Sequence, residues 1–281
     1  MAAEPSMHEM WSEDLPWQAR RGLELGRVLC TCDGCYHAMW GALRAAGVSN
    51  SLKAEEPLLA SLISPFIRDD LRVMIGGSAD PGVLCAIGRI HAPKIPAITV
   101  IDKCRAPLEL IAEFSTGKGL DCRTLNRDLL DLNGSEQWDH IVLHYTSDFV
   151  DPRMRERLFQ SLARALAPGG ILVCASKTGT RVGGDRSAGL LSTFLGYSAR
   201  LLKESPLADL TESPEFEKIW YAYAEGVTVR RLGLATSEET RELLRSAGFR
   251  VLSENGTARR QRYFEGAAII DSGSVILATR D

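Results

Sequence analysis

No stretch of the sequence approaches the roughly 18 consecutive apolar residues that a membrane-spanning helix needs. Neither charge is in excess: 33 Lys and Arg face 36 Asp and Glu, for a formal charge of −3. This balance removes the general electrostatic case for nucleic acid or an anionic membrane as partner. The first ten residues lack the basic and apolar regions of a secretory signal. Internal repeats and low-complexity tracts are absent. Seven cysteines cannot all pair, and a chain of 281 residues has no need of disulfide staples, so free thiols in a reducing cytoplasm are expected. What is present is ordinary for a globular protein: 45% hydrophobic and 25% charged residues, enough for one large or two smaller domains and against extensive disorder.

The pattern along the chain divides it. Residues 1–68 read as helices only and hold Trp11, Trp17 and Trp40; this segment is expected to form a helical N-terminal cap. From Leu71 short β-branched runs alternate with helical stretches. The predicted strands are Arg72–Ile75, Ala97–Ile101, Asp121–Leu125, His140–His144 and Ile171–Ala175, and the helices between them Pro81–His91, Ala106–Ser115 and Pro152–Leu166. Continuous apolar runs such as Ile141-Val142-Leu143 suit strands covered on both faces. Alternation of this kind predicts a doubly wound α/β sheet over 69–281. It stops at a helical insertion, 177–234, with helices predicted at Ser187–Lys203 and Ser213–Glu225. A helix at Ser237–Ala247, with Ser237 as N-cap and Gly248 as its stop, follows. Arg250–Ser253 and Ser274–Thr279 then pair as an antiparallel hairpin, making seven strands with the final one antiparallel to its neighbours.

Val73-Met74-Ile75-Gly76-Gly77-Ser78-Ala79-Asp80-Pro81-Gly82 runs strand, small-residue turn, helix start. Gly76 and Gly77 let the backbone approach a ligand, and Asp80 as N-cap with Pro81 as first helical residue would begin the helix. A helix N-terminus there suits a carboxylate or phosphate, although such turns also serve packing alone. Asp102, ending the second strand, can accept both hydroxyls of an adenosine ribose. Asn126-Arg-Asp128-Leu129 follows the third strand, where a carboxylate can meet an adenine amine. Each carboxylate taken singly is equally a solvated loop residue. Three such elements at successive carboxyl ends of strands mark the edge where open α/β sheets bind ligands.

These elements, with Leu166-Ala-Pro-Gly-Gly-Ile-Leu-Val173 before the fifth strand and the reversed terminal hairpin, resemble the class I S-adenosylmethionine-dependent methyltransferases. The resemblance covers about 71–175 and 237–281. The glycine turn departs from the family pattern: Met74 or Ile75 stands where an acidic residue is usual, and Ala79 where a second glycine is common. The resemblance implies S-adenosylmethionine as cofactor and S-adenosylhomocysteine as product. The methionyl group would lie at Gly76, Gly77, Ser78, Ala79 and Asp80, the ribose at Asp102 beside Lys103, and the adenine at Asp128 and Leu129, with His144 next to the cofactor.

Methyl transfer mainly requires alignment of nucleophile, methyl and leaving sulfur, with a base only for a protonated acceptor. His144 and Tyr145, at the end of the fourth strand, are candidates to orient the acceptor or take its proton; a purely structural histidine is the competing reading. Tyr36 and His37 in the cap are further candidates, although Tyr36 and Trp40, four residues apart, equally form a core stripe. Cys30-x-Cys32-x₂-Cys35 lacks the second cysteine pair usual in structural zinc sites, so no metal is expected. Trp220-Tyr221-Ala-Tyr223 and Phe194-Leu-Gly-Tyr197 in the insertion offer either a pocket wall or the packing of a helical subdomain or homodimer contact. Arg259-Arg260-Gln-Arg262-Tyr263 is a basic stretch that solvent or an acidic acceptor could meet. The Asn/Asp-Pro-Pro-aromatic motif of adenine and glutamine methyltransferases is absent. A small-molecule acceptor is therefore expected. Intramolecular alkylation, aminocarboxypropyl transfer and a non-catalytic scaffold remain alternatives.

Overall fold

The computed structural model describes residues 6–32, 36–49, 51–134, 137–178, 187–230, 236–261 and 269–280. Helices α1 (Met7–Met10), α2 (Leu15–Leu29), α3 (Tyr36–Ala45) and α4 (Ser51–Ile63) precede the first strand. Strands β1 (Arg72–Gly76), β2 (Ala97–Asp102), β3 (Cys122–Asn126), β4 (Trp138–His144) and β5 (Leu166–Thr178) alternate with α5 (Gly82–His91), α6 (Arg105–Lys118) and α7 (Arg155–Ala165). After β5 come α8 (Ser187–Lys203), α9 (Pro214–Arg230) and α10 (Ser237–Ser246), then β6 (Arg250–Gln261) and β7 (Ile269–Thr279). The seven strands lie in the order β3-β2-β1-β4-β5-β7-β6. β1 to β5 are parallel, and β7 runs antiparallel between β5 and β6.

Successive strand residues bury on opposite faces of this sheet, which explains the unbroken apolar runs. Val73 and Ile75 face α4, α5 and α6 in one core; Met74, Ile141 and Leu143 face α7 and α10 in the other. A third core joins α2 and α3 to α8 and α9 through Met39, Leu43, Phe194, Phe216 and Tyr223. α2 and α3, before β1, and α8 and α9, after β5, thus share one interior.

Several boundaries differ from those read along the sequence. Pro81, not Asp80, is the N-cap of α5; the first helical bond runs from Cys85 N–H to the Pro81 carbonyl, and Asp80 Oδ1 instead accepts from Gly82 N–H at 2.8 Å. Thr236, not Ser237, caps α10: its Oγ1 accepts from Glu239 N–H while Glu239 returns a bond to Thr236 N–H. This reciprocal capping box satisfies two backbone donors at once, which Ser237 could not do. The Leu166-Ala-Pro-Gly-Gly segment is the start of β5, with Leu166 beside Trp138. Arg259 and Arg260 belong to β6, whereas Arg262, Tyr263 and Cys35 lie outside the described residues. No helix among the described residues is long and apolar enough to cross a membrane.

Candidate functional site

A cavity of about 1260 Å³ opens at the carboxyl ends of β1 to β4. One wall is the sheet edge, with Gly77, Ser78, Ala79, Asp80, Asp102, Lys103, Asp128, Leu129, His144 and Tyr145; the other is helical, with Tyr36, His37, Trp40 and Arg44 among its lining. Of the residues singled out in the sequence as cofactor contacts, Gly76 alone is missing from this lining. A Cβ at Gly76 would stand 2.5 Å from Leu143 Cδ2, so its glycine serves packing. Gly77 is different. It adopts φ +72°, and a Cβ there would meet Thr146 Cγ2 at 2.4 Å, so only glycine makes this turn. Thr146 Oγ1 holds the turn by donating to the Gly76 carbonyl at 2.6 Å.

The carboxylates along the sheet edge are fixed by backbone donors. Asp102 accepts from Cys104 N–H at 2.7 Å and from Ser78 N–H at 3.3 Å through different oxygens. Each oxygen keeps a further lone pair for a ligand hydroxyl. Burial raises the Asp102 pKa, opposed by the nearby His37 charge and by the two N–H donors. Asp128 Oδ1 accepts from Leu130 N–H at 2.9 Å and starts a short 3₁₀ turn that buries Leu129 against the cavity. Asp80 forms a 2.6 Å ion pair with Arg44, whose other nitrogen meets Glu13 at 2.7 Å. Asp80 Oδ2 is buried with no hydrogen-bond partner, an energetic cost that a ligand donor would remove.

The end of β4 carries a polar constellation that includes a residue missed in the sequence, Glu55. On α4, Leu52, Glu55, Leu59 and Ile63 form one buried stripe, and Glu55 is only 3% exposed. A carboxylate in the middle of an apolar helical stripe was the available signal. Its Oε2 meets His144 Nε2 at 2.9 Å, and its Oε1 accepts from the Tyr145 hydroxyl. Tyr145 takes φ +64°, a left-handed conformation uncommon outside glycine. That bend brings two consecutive side chains onto the same carboxylate. The arrangement has the logic of a base oriented by a third group: with Nε2 held on the carboxylate, Nδ1 is the ring nitrogen left for an acceptor.

Tyr36 and His37 start α3 and both line the cavity. Tyr36 stacks on Trp40 and on Tyr223, with ring centroids 5.5 and 5.6 Å apart. The insertion aromatics do not wall the pocket: none of the described residues 187–230 lines it. Tyr223 and Phe194 are buried behind α3 and support it.

His37 faces a group the sequence reading had set aside. Its ring nitrogen and the sulfurs of Cys30, Cys32 and Cys104 all lie within 4.8 Å of one another. The expectation of no metal site rested on the lack of a second local pair; Cys104, 67 residues beyond His37, supplies the fourth donor through the fold. Hydrogen bonding to Cys104 and Cys32 pushes the Cys30 thiol down in pKa, and the same contacts push Cys32 up. Burial disfavours a charged His37, yet contacts with Cys104 and Cys30 and the Asp102 charge raise it to about 9.

No protein-family model and no curated protein sequence matches the chain. Solved structures do. The [4+2]-cyclase SpnF is 16% identical with a TM-score of 0.55, over 81% of each chain. Magnesium protoporphyrin IX methyltransferase (ChlM) from Synechocystis PCC 6803, with bound SAH, is 13% identical with a TM-score of 0.51, over 82% of this chain and 83% of that one. The strand order and reversed β7 are those of the class I S-adenosylmethionine-dependent methyltransferases, and this chain has that fold.

Proposed function

We propose that the chain binds S-adenosylmethionine along the carboxyl edge of β1, β2 and β3 and transfers its methyl group to a small-molecule acceptor. The observation that carries this reading is the cavity, in which the glycine turn, Asp102 and Asp128-Leu129 line one wall and His144 stands at its end. At about 1260 Å³ it exceeds the roughly 300–1,000 Å³ typical for one small ligand, leaving room for cofactor and acceptor together. The residues also fit the cofactor chemically. The unpartnered Asp80 Oδ2 suits the methionyl ammonium, and the Gly77 turn, where any Cβ would collide with Thr146, keeps backbone close to it. Asp102, beside Lys103, would take the ribose hydroxyls, and Asp128 with Leu129 the adenine.

When bound, S-adenosylmethionine supplies an electrophilic methyl group on a sulfonium. The chain's own part is to hold the acceptor in line and exclude water, with Tyr36 closing the helical wall over the site. Where the acceptor is protonated, His144 Nδ1 takes the proton and Glu55 stabilises the resulting imidazolium. SpnF, described as a [4+2]-cyclase, has the same fold, so the test must separate methyl transfer from other outcomes. Purified protein is incubated with S-adenosylmethionine and a small-molecule extract, and products are read by mass spectrometry. S-adenosylhomocysteine with a methylated product is expected. Methylthioadenosine would indicate aminocarboxypropyl transfer or intramolecular alkylation; calorimetric binding of S-adenosylhomocysteine without turnover would indicate a scaffold. Absence of binding would overturn the reading.

A further inference from the structure

We propose that Cys30, Cys32, His37 and Cys104 form a tetrahedral site for a thiophilic divalent cation, and that zinc is the ion this donor set fits. The four residues come from two separate stretches of the chain, 30–37 and 104. Cys30 follows α2 with its N–H on the Gly26 carbonyl, Cys32 lies in the link to α3, and His37 is in the first turn of α3. Cys104 sits between β2 and α6. A zinc tetrahedron with Zn–S of about 2.3 Å and Zn–N of about 2.0–2.1 Å has edges of about 3.8 Å between sulfurs and about 3.6 Å from sulfur to nitrogen. Here every donor atom is within 4.8 Å of the others, and Cys30 Sγ to His37 Nδ1 is 3.4 Å. Small contractions close the polyhedron.

The alternatives account for less. Cysteine used as a small core hydrophobe sits singly, apart from other thiols, as Cys85 and Cys174 do in the two sheet cores. A disulfide would join two of the three sulfurs and leave the third beside an imidazole. Four convergent soft donors are what a structural zinc site requires. The bound form needs three thiolates and a neutral His37; whatever protons these four groups carry are released to solvent, and three thiolates and Zn²⁺ sum to −1. No electron is transferred. All four positions are filled by protein, so the ion is a structural clasp and not a Lewis acid. It ties the α2–α3 corner to the turn whose Cys104 N–H holds Asp102. The assignment rests on these four residues and is independent of the S-adenosylmethionine reading.

Full-length protein purified from zinc-supplemented cells without chelator is analysed by elemental mass spectrometry. About one zinc per chain is expected, lost in Cys32→Ser and Cys104→Ser and retained in Cys122→Ser, whose thiol lies outside the cluster. Cobalt(II) titration of the wild-type chain, stripped of metal, gives a reading that needs no variant. A near-ultraviolet thiolate-to-cobalt band and intense visible bands of a tetrahedral ion, saturating at one equivalent, support the site even if Cys104→Ser fails to fold. Folded wild-type protein with neither zinc nor a cobalt–thiolate band overturns it. So does intact mass two hydrogens short, with the missing pair mapped to these cysteines in protein kept under reductant.

Discussion

The two walls of the cavity are built in opposite ways. The sheet-edge wall takes its groups from residues adjacent in sequence to strand ends: Gly77 to Asp80 after β1, Asp102 at the end of β2, Asp128 after β3, His144 at the end of β4. Backbone geometry alone delivers them to one line, because parallel strands all point their carboxyl ends the same way. The helical wall collects Tyr36 and Arg44 from α3 and Leu52 and Glu56 from α4, and the packing of these helices decides where each side chain, and the Glu55 buried behind the wall, falls. The first kind of wall is robust to loop detail. The second depends on the close crossing of α2 and α3, where a Cβ on Gly26 would stand 2.5 Å from Ala38 Cα.

The largest effect that would sharpen this contrast is expected at Glu55. Glu55→Gln keeps the shape but removes the carboxylate that accepts from both His144 and Tyr145. Turnover should fall roughly 10²- to 10⁴-fold, with S-adenosylhomocysteine affinity unchanged by calorimetry. Unaltered turnover would reduce the constellation to a packed polar cluster and leave the chemistry to the sheet edge.

Acid should act on the body of the sheet. His140 on β4 and His91 on α5 face each other at 3.2 Å in the interior. Burial, then the neighbouring His91, lowers His140 to about 4, and burial lowers His91 as well. The unfolded chain takes these protons near the ordinary histidine value of about 6.5. Stability is therefore full above that pH and declines as pH falls toward 4, by on the order of 3 kcal/mol for His140. Denaturant unfolding across this range is the measurement, and His140→Asn should flatten the acid limb.

Asp102→Ala tests the sheet-edge wall directly. Loss of a charge-assisted contact to both ribose hydroxyls should cost about 1.5–3 kcal/mol, or ten- to a hundredfold in S-adenosylhomocysteine affinity. The chain should still fold. If affinity holds in a folded variant, the ribose is bound elsewhere.

The smallest expected effect is at the helix crossing. Gly26→Ala must push α2 and α3 apart, at about 1–3 kcal/mol. A melting temperature lowered by a few degrees with Asp102-dependent affinity retained would show the two walls to be energetically separable. No change in melting would mean that the crossing relaxes freely.

How far the sequence revealed the site follows the same division. The parallel strands, the terminal antiparallel hairpin and the strand-end position of Asp102 were legible because apolar runs, turn residues and strand ends are local properties of the chain. Gly76 stands outside the cavity lining and Gly77 within it, a difference hidden in the sequence because a glycine packed on Leu143 and one required by a turn look alike there. Of the two readings of the insertion aromatics, packing within a helical subdomain is the one Phe194 and Tyr223 take, buried against α3.

The sequence by itself determined the strands, the terminal hairpin and the carboxylates at strand ends, because each follows from residues within a few positions of a strand end. Only the tertiary structure decided that Glu55 lies against His144, 89 residues away, and that Cys104 completes the group begun at Cys30. Those contacts are set by how helices pack across the sheet, and packing depends on the whole surface of each element and not on any short motif.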